Sequence, residues 1–208
     1  MEKLIAVIGT VGKTQGPRLR AVFGCMYYGM LRPSEAVSLL LTECTLPEEG
    51  WGLLEFSEIS SPAGRDWTDT GEVHQASRPK GGPRNAVRRV PIPPVLVTML
   101  GEHVQEHGTA ADGRLFRSYR DGIYQPSTLW QVLRKARKQI LTTAQIASPL
   151  MARPYDFRHA GVSWRLNAGL PHLWSLSGPA IRSRSCCGST LIASTGMTSG
   201  GSGRWMMR

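Results

Sequence analysis

Acidic residues are scarce in this chain of 208 residues: 15 Asp and Glu stand against 25 Lys and Arg, a formal charge of +10 and a pI near 10.0. Such a balance favours a polyanionic partner, nucleic acid first among them. Long apolar runs are absent too. None approaches the roughly 20 residues a membrane span requires, so no membrane contact is expected. The apolar stretch at Leu4-Ile5-Ala6-Val7-Ile8 is too short for a signal peptide, which places the chain in the cytoplasm. Cysteine is rare, and Cys25, Cys44, Cys186 and Cys187 show no metal-ligand spacing. Reduced thiols follow, with neither metal nor cofactor expected. Lysine is thin in the middle, where Lys80 stands alone between Lys13 and Lys135. The 37 residues from His172 to Arg208 contain no Asp, Glu, Lys, Asn, Gln, Val, Phe or Tyr, while 17 of them are Ser, Gly or Thr. No apolar period survives there, and this stretch reads as not belonging to the fold.

What remains is 41% apolar, enough for a core. Leu19, Val22, Phe23, Met26 and Tyr27 recur at helical spacing, with Gly29 as a stop. Pro33 suits the first position of a new helix, whose buried side is Ala36, Val37, Leu39 and Leu40. From Trp51 the pattern turns extended, in Leu53-Leu54-Glu55-Phe56 and again in Val87-Arg88-Arg89-Val90-Pro91-Ile92. A polar connection, Ser60 to Asn85, lies between them. Pro93 and Pro94 open a helix with Val95, Leu96, Met99, Leu100 and Val104 on its apolar face, ending near Gly108. Ser127 is a candidate cap for the next helix, which carries Leu129, Val132, Leu133, Ala136 and Ile140. Asp156 can cap a third, over 157–168, ended by Gly169 and Pro171. The fold class is therefore α+β, mainly α-helical with a small antiparallel β-sheet.

Two arginines stand where helices should begin, Arg32 before Pro33 and Arg158 after Asp156. Guanidinium forks projecting from two helix starts into one site suit the non-bridging oxygens of a phosphate, because the fork binds bidentately and keeps its charge. Basic residues also crowd between Arg114 and Lys138, namely Arg117, Arg120, Arg134, Lys135 and Arg137 with the two end residues. They read either as a polyanion-binding face or as a solvated surface.

The run Tyr27-Tyr28-Gly29-Met30-Leu31-Arg32-Pro33-Ser34-Glu35-Ala36-Val37-Ser38-Leu39 closely resembles the first arginine box of the tyrosine recombinases, the phage-integrase family. Arg153-Pro154-Tyr155-Asp156-Phe157-Arg158-His159-Ala160 resembles its second box. Asp112-Gly113-Arg114-Leu115-Phe116 and Val90-Pro91-Ile92-Pro93 are similar to the actinobacterial integrases. The resemblance covers residues 15–171 and implies an integrase-like catalytic domain over 1–171, with 172–208 outside it. It implies action on double-stranded DNA, as a homo-oligomer on DNA, in integration and recombination of a mobile element. In that family a tyrosine hydroxyl attacks the DNA phosphate. Arg32 and Arg158 would clamp that phosphate and stabilise the charge on its oxygens. Lys80 would be the general acid for the leaving oxygen. Its alternative is a solvated loop lysine, and that of Arg32 is a helix-end salt bridge to Glu35 or Glu43. Tyr155 stands where the family has a histidine. A phenol there can donate a hydrogen bond to a phosphate oxygen but is a poor proton shuttle near neutral pH. His159 is expected to pack beneath the site and orient it, or to be purely structural. Glu35 is expected to favour a helix N-terminus rather than perform chemistry.

The family pattern then breaks. Its Gly-His-Ser-type box and nucleophilic tyrosine are missing, since no tyrosine follows Tyr155. Its amino-terminal DNA-clamping domain is not in this sequence either. Codons that straddle residues offer an account of the tail: Pro179/Ala180 can give Gly, Ala180/Ile181 His and Ile181/Arg182 Ser, while Ser189/Thr190 can give Tyr and Leu191/Ile192 His. A reading-frame slip near His172 is the hypothesis. It leaves three readings of the chain: a recombinase domain without its nucleophile, a non-catalytic DNA-binding remnant, or a non-functional frame-shifted product.

Overall fold

The computed structural model describes residues 1–56, 59–62, 74–77, 88–119 and 121–168. Helix α1 (Glu2–Gly9) is followed by α2 (Gln15–Tyr28) and the short α3 (Pro33–Ser38). A 3-10 turn at Leu41–Glu43 leads into β1 (Cys44–Thr45), β2 (Gly52–Phe56), β3 (Ile59–Pro62), β4 (His74–Ser77) and β5 (Arg88–Ile92). Helices α4 (Pro94–His107), α5 (Pro126–Ile140), α6 (Thr143–Ala147) and α7 (Tyr155–Asn167) complete the order. Three strands form one antiparallel sheet, β1-β2-β5, and β3 pairs with β4 separately. The expected class, mainly helical with a small antiparallel sheet, is the one observed.

Helix α2 is the axis of the molecule. Leu19, Val22, Phe23 and Met26 are fully buried on it, and α1, α3, α4, α5 and α7 all pack against it. Burying each such side chain contributes about 1.5–3 kcal/mol relative to exposing it, so the helix is held by tertiary packing rather than propensity. Phe157 of α7 sets its ring 4.8 Å from that of Phe23. Directly beside it, Gly161 lets the two backbones touch: a Cβ there would lie 2.0 Å from the Tyr27 carbonyl oxygen. Arg165, buried one turn later, donates to the carbonyls of Tyr28 (2.7 Å) and Pro91 (3.4 Å). It ties α7 to the end of α2 and to β5 at once.

Helix starts differ from the sequence reading in a consistent way. Pro126 is the first residue of α5, with Gln125 before it, so Ser127 lies inside the helix and is not its cap. Pro154 precedes α7, and Asp156 sits in the first turn, where its Oδ2 accepts the Arg153 N–H at 2.9 Å. In both cases the helix starts earlier than the expected cap: proline, which has no N–H to satisfy, is the first residue of α5 and the residue just before α7. Val95 is 47% exposed, and Val97 and His103 complete the buried face of α4 instead. Ile140 is also exposed, as the last residue of α5.

Arg137 overturns part of the basic-face reading. It falls on the core side of α5, four residues after Leu133, and is buried. Its Nη2 donates to the Gln145, Ile146 and Ser148 carbonyls, at 3.4, 3.3 and 3.2 Å, which satisfies the orphan carbonyls ending α6. Arg114 is taken by Asp112, and Arg117 by Asp121 and the His107 carbonyl. Arg134, Lys135 and Lys138 stay exposed on α5. Arg120, the connection holding Lys80, and 169–208 lie outside the described residues.

Candidate functional site

The C-terminal end of α2 and the start of α3 are joined by a sharp turn. Gly29 caps α2 through its N–H to the Cys25 carbonyl (3.0 Å), and Met30 follows in the left-handed region at φ 52°. Such a conformation is unusual for a residue with a long side chain. Here the Met30 side chain is buried, and its carbonyl accepts a hydrogen bond from Arg158 Nη1 on α7. The turn then delivers Arg32, extended at φ −69° and ψ 152°, as the residue capping α3.

Glu35 closes that cap and becomes the hub of the site. Its Oε2 accepts the Arg32 backbone N–H at 2.8 Å and its Oε1 accepts Arg32 Nη1 at 2.7 Å. The same Oε1 accepts Arg88 Nη1, from β5, at 2.8 Å. Arg158 Nη1 stands 3.8 Å from Oε2. Glu35 is wholly buried, Arg88 and Arg158 nearly so, and the Arg32 side chain remains 40% exposed. The helix-end ion pair weighed against a clamp for Arg32 therefore exists, and it leaves the guanidinium open to solvent.

Three guanidiniums share one carboxylate, so the cluster carries 3 − 1 = +2 charges in a largely buried setting. Burial pushes the Glu35 carboxyl up, but Arg88, then the Arg32 N–H and guanidinium, outweigh it and hold the pKa below the ordinary carboxylate value. Burial lowers the Arg158 pKa; Glu35 opposes this, while the like charges of Arg32 and Arg88 add to it. Arg32 moves the other way. Burial would lower its pKa, but the bonds and charge of Glu35, with Tyr155 beside it, raise it. Arginine stays charged throughout. The uncompensated charge favours an anion entering past Arg32.

Tyr155 begins α7 close to Arg32, near enough for its phenol to contribute to the raised Arg32 pKa, and it is 37% exposed. His159, one turn on, sets its ring edge-on to Tyr155 at 4.9 Å. It does not pack beneath the site as expected: it is exposed, on the outer side of α7. The reason is helical spacing, since Phe157, Arg158 and Gly161 take the face toward α2. Four expected site residues, Arg32, Tyr155, Arg158 and His159, thus gather on two helix starts. Lys80, the fifth, lies outside the described residues, in the connection between β4 and β5. Arg88 was not anticipated. Its signal was available in β5, where the alternation Arg88, Val90, Ile92 places all three on the buried face.

Among the described residues no group of His, Cys, Asp or Glu could hold a metal ion, and no helix is long and apolar enough to cross a membrane. No protein-family model matches the chain, and no curated protein matches it in sequence. Solved structures do match in fold. The integrase of the Tn1549 transposon, in complex with transposon right end DNA, superposes with a TM-score of 0.63 at 17% identity, over 85% of this chain and 56% of that one. The XerH site-specific recombinase bound to difH substrate gives 0.56 at 15% identity, over 80% and 41%. The XerA recombinase gives 0.52 at 16% identity, over 86% and 52%. The chain therefore shares the fold of these recombinases and spans 41% to 56% of their lengths.

Proposed function

We propose that this chain is catalytic-domain sequence of a site-specific DNA recombinase (integrase) of the tyrosine class, and that it binds a DNA phosphodiester without cleaving it. The observation that carries the reading is the buried group of Arg32, Arg88 and Arg158 around one Glu35 carboxylate. Its net positive charge, opening through Arg32, suits the two non-bridging oxygens of a phosphate. The two arginine boxes and the shared fold point the same way. In this reading Tyr155 donates a hydrogen bond to the phosphate and His159 steadies the Tyr155 ring, while Lys80 is the general acid of the family reaction, left idle because no bond to a leaving oxygen is broken. Double-stranded DNA is the partner, held by a homo-oligomer in the cytoplasm, with a mobile element of the actinobacterial type as the origin.

The chemistry stops at the clamp because this chain holds no tyrosine after Tyr155. Tyr155 itself sits beside the arginine clamp, on the same helix as Arg158, rather than on a separate movable element. A non-catalytic DNA-binding remnant is therefore the second reading, and it shares the same clamp. A third, a frame-shifted product without function, is decided by the coding DNA: codons at Ala180/Ile181 and Ser189/Thr190 that do not spell His and Tyr when shifted would remove the frame-slip account.

Binding to a labelled duplex, measured by anisotropy across a salt series, tests the clamp. Affinity should fall steeply with salt. Arg32→Ala should weaken binding and reduce the salt slope by about 1. A nicked suicide substrate should give no covalent adduct on a denaturing gel. An adduct overturns the loss of cleavage, and salt-insensitive or absent binding overturns the clamp.

A further inference from the structure

Beside the arginine site lies a second feature that the clamp does not use. A groove of about 730 Å³ runs between the starts of α3, α5 and α7, walled by Pro33, Pro154, Trp130, Arg134, Arg153 and Tyr155. Its volume is in the range of small-molecule sites. Two of its rings are open to solvent, Trp130 at 46% and Tyr155 at 37% exposure. Arg134 lies over the Trp130 ring, 5.5 Å from the centroid. The described lining contains two guanidiniums and no carboxylate.

The groove and the clamp are contiguous in the chain. Pro33 directly follows Arg32, Tyr155 is shared by both, and Arg153 and Pro154 precede it. A phosphodiester seated at Arg32 would therefore have its neighbouring nucleoside at the mouth of the groove. Exposed aromatic faces backed by arginine are the combination that stacks unpaired bases, because every base has a π-face and the guanidinium adds cation–π attraction. The prolines supply a rigid apolar wall that needs no ordering when the base enters. The edges of paired bases, by contrast, are read by side chains that project outward into a DNA groove. A concave slot does not project.

We propose that this groove receives an unpaired nucleobase from the nucleotide next to the clamped phosphodiester, stacked on Trp130, and so makes the chain prefer DNA that is locally open over intact duplex. The proposal rests on the phosphodiester reading of the clamp. It assigns Trp130 as the stacking platform and Arg134 and Arg153 as its flanking cations.

The test uses the full chain and two duplexes of one sequence, fully paired or with a single unpaired 2-aminopurine. The protein should bind the second roughly tenfold more tightly, a typical size for one base–aromatic stack, and quench its fluorescence. Trp130→Ala should abolish both the preference and the quench, and Trp130→Phe should retain them. Arg32→Ala should weaken binding to both duplexes alike. Equal affinity for the two duplexes, or a preference that survives Trp130→Ala, overturns the groove while leaving the clamp intact. Absence of binding to either duplex overturns both.

Discussion

Glu35 is one carboxylate answering to three guanidiniums, and that stoichiometry governs what each substitution does. Arg88 is the buried partner that hydrogen-bonds its carboxylate directly, 2.8 Å away from a residue with no solvent to fall back on. Arg88→Met should destabilise the protein by about 3–5 kcal/mol, the usual cost of stripping one member from a buried pair. Adding Glu35→Gln to that variant should deepen the loss, because Arg32 and Arg158 are then left together with no carboxylate between them. Chemical denaturation of the single and double variants measures this, and an Arg88→Met loss below about 1 kcal/mol would refute the role given to the pair. At this scale the sequence was readable where proline marked a helix start. Pro33 did so for Arg32, whereas for Arg158 the signal was Asp156, which lies in the first turn of α7. Arg88 escaped because two adjacent arginines in one strand look alike until the register with Val90 and Ile92 separates them. His159 was misplaced because a neighbouring arginine, not the histidine, takes the inward face.

Among the elements, the contact between α2 and α7 sets the geometry of the clamp. A Cβ at position 161 would meet a backbone oxygen rather than a side chain, so no rotamer relieves it. In Gly161→Ala, α7 must move off α2 and carry Arg158 with it. The melting temperature should fall by an amount matching about 1–3 kcal/mol of overpacking, and DNA affinity should fall beyond what the lost stability explains. A variant that keeps full affinity despite the lowered melting temperature would show that the helix spacing does not set the clamp. Helices α2, α4 and α5 were legible because each buries a full apolar stripe over three or more turns. Helix α6, of five residues, and β1, of two, are too short to leave a period. The former is held by a Thr142–Gln145 capping box and by Arg137 reaching from α5.

For the molecule as a whole, acid should be the sensitive direction. His103 is buried against Phe116 and His107, and its Nε2–H donates to the Leu115 carbonyl at 3.2 Å. Burial first, with His107 and Arg18 adding to it, brings its pKa down from 6.5 to about 4, although the Leu115 bond opposes this. The unfolded chain therefore takes up a proton that the folded one refuses, and stability present above about pH 6.5 is lost as pH falls toward 4. The shift corresponds to about 3 kcal/mol. Glu35 follows at lower pH: its folded pKa is depressed, so its contribution disappears as pH falls through that value, and the three guanidiniums are then left without their anion. With +10 already on the chain, each added proton meets further repulsion. Melting temperature recorded against pH should drop between 6.5 and 4, and His103→Gln, which keeps a donor for Leu115, should flatten that limb. Parallel curves for the two proteins would disprove it.

Arg165 gives the clamp a property that no single arginine in it has. Its guanidinium joins α7 to the last turn of α2 and to β5, the three elements that deliver Arg158, Arg32 and Arg88. Local fraying of any one of them has to break a buried bond shared with the other two. The site therefore lacks a cheap partial opening of the kind that loops and helix ends usually provide. A phosphate bound there would leave past Arg32, the guanidinium open to solvent, while the frame that holds Arg88 and Arg158 stays closed behind it.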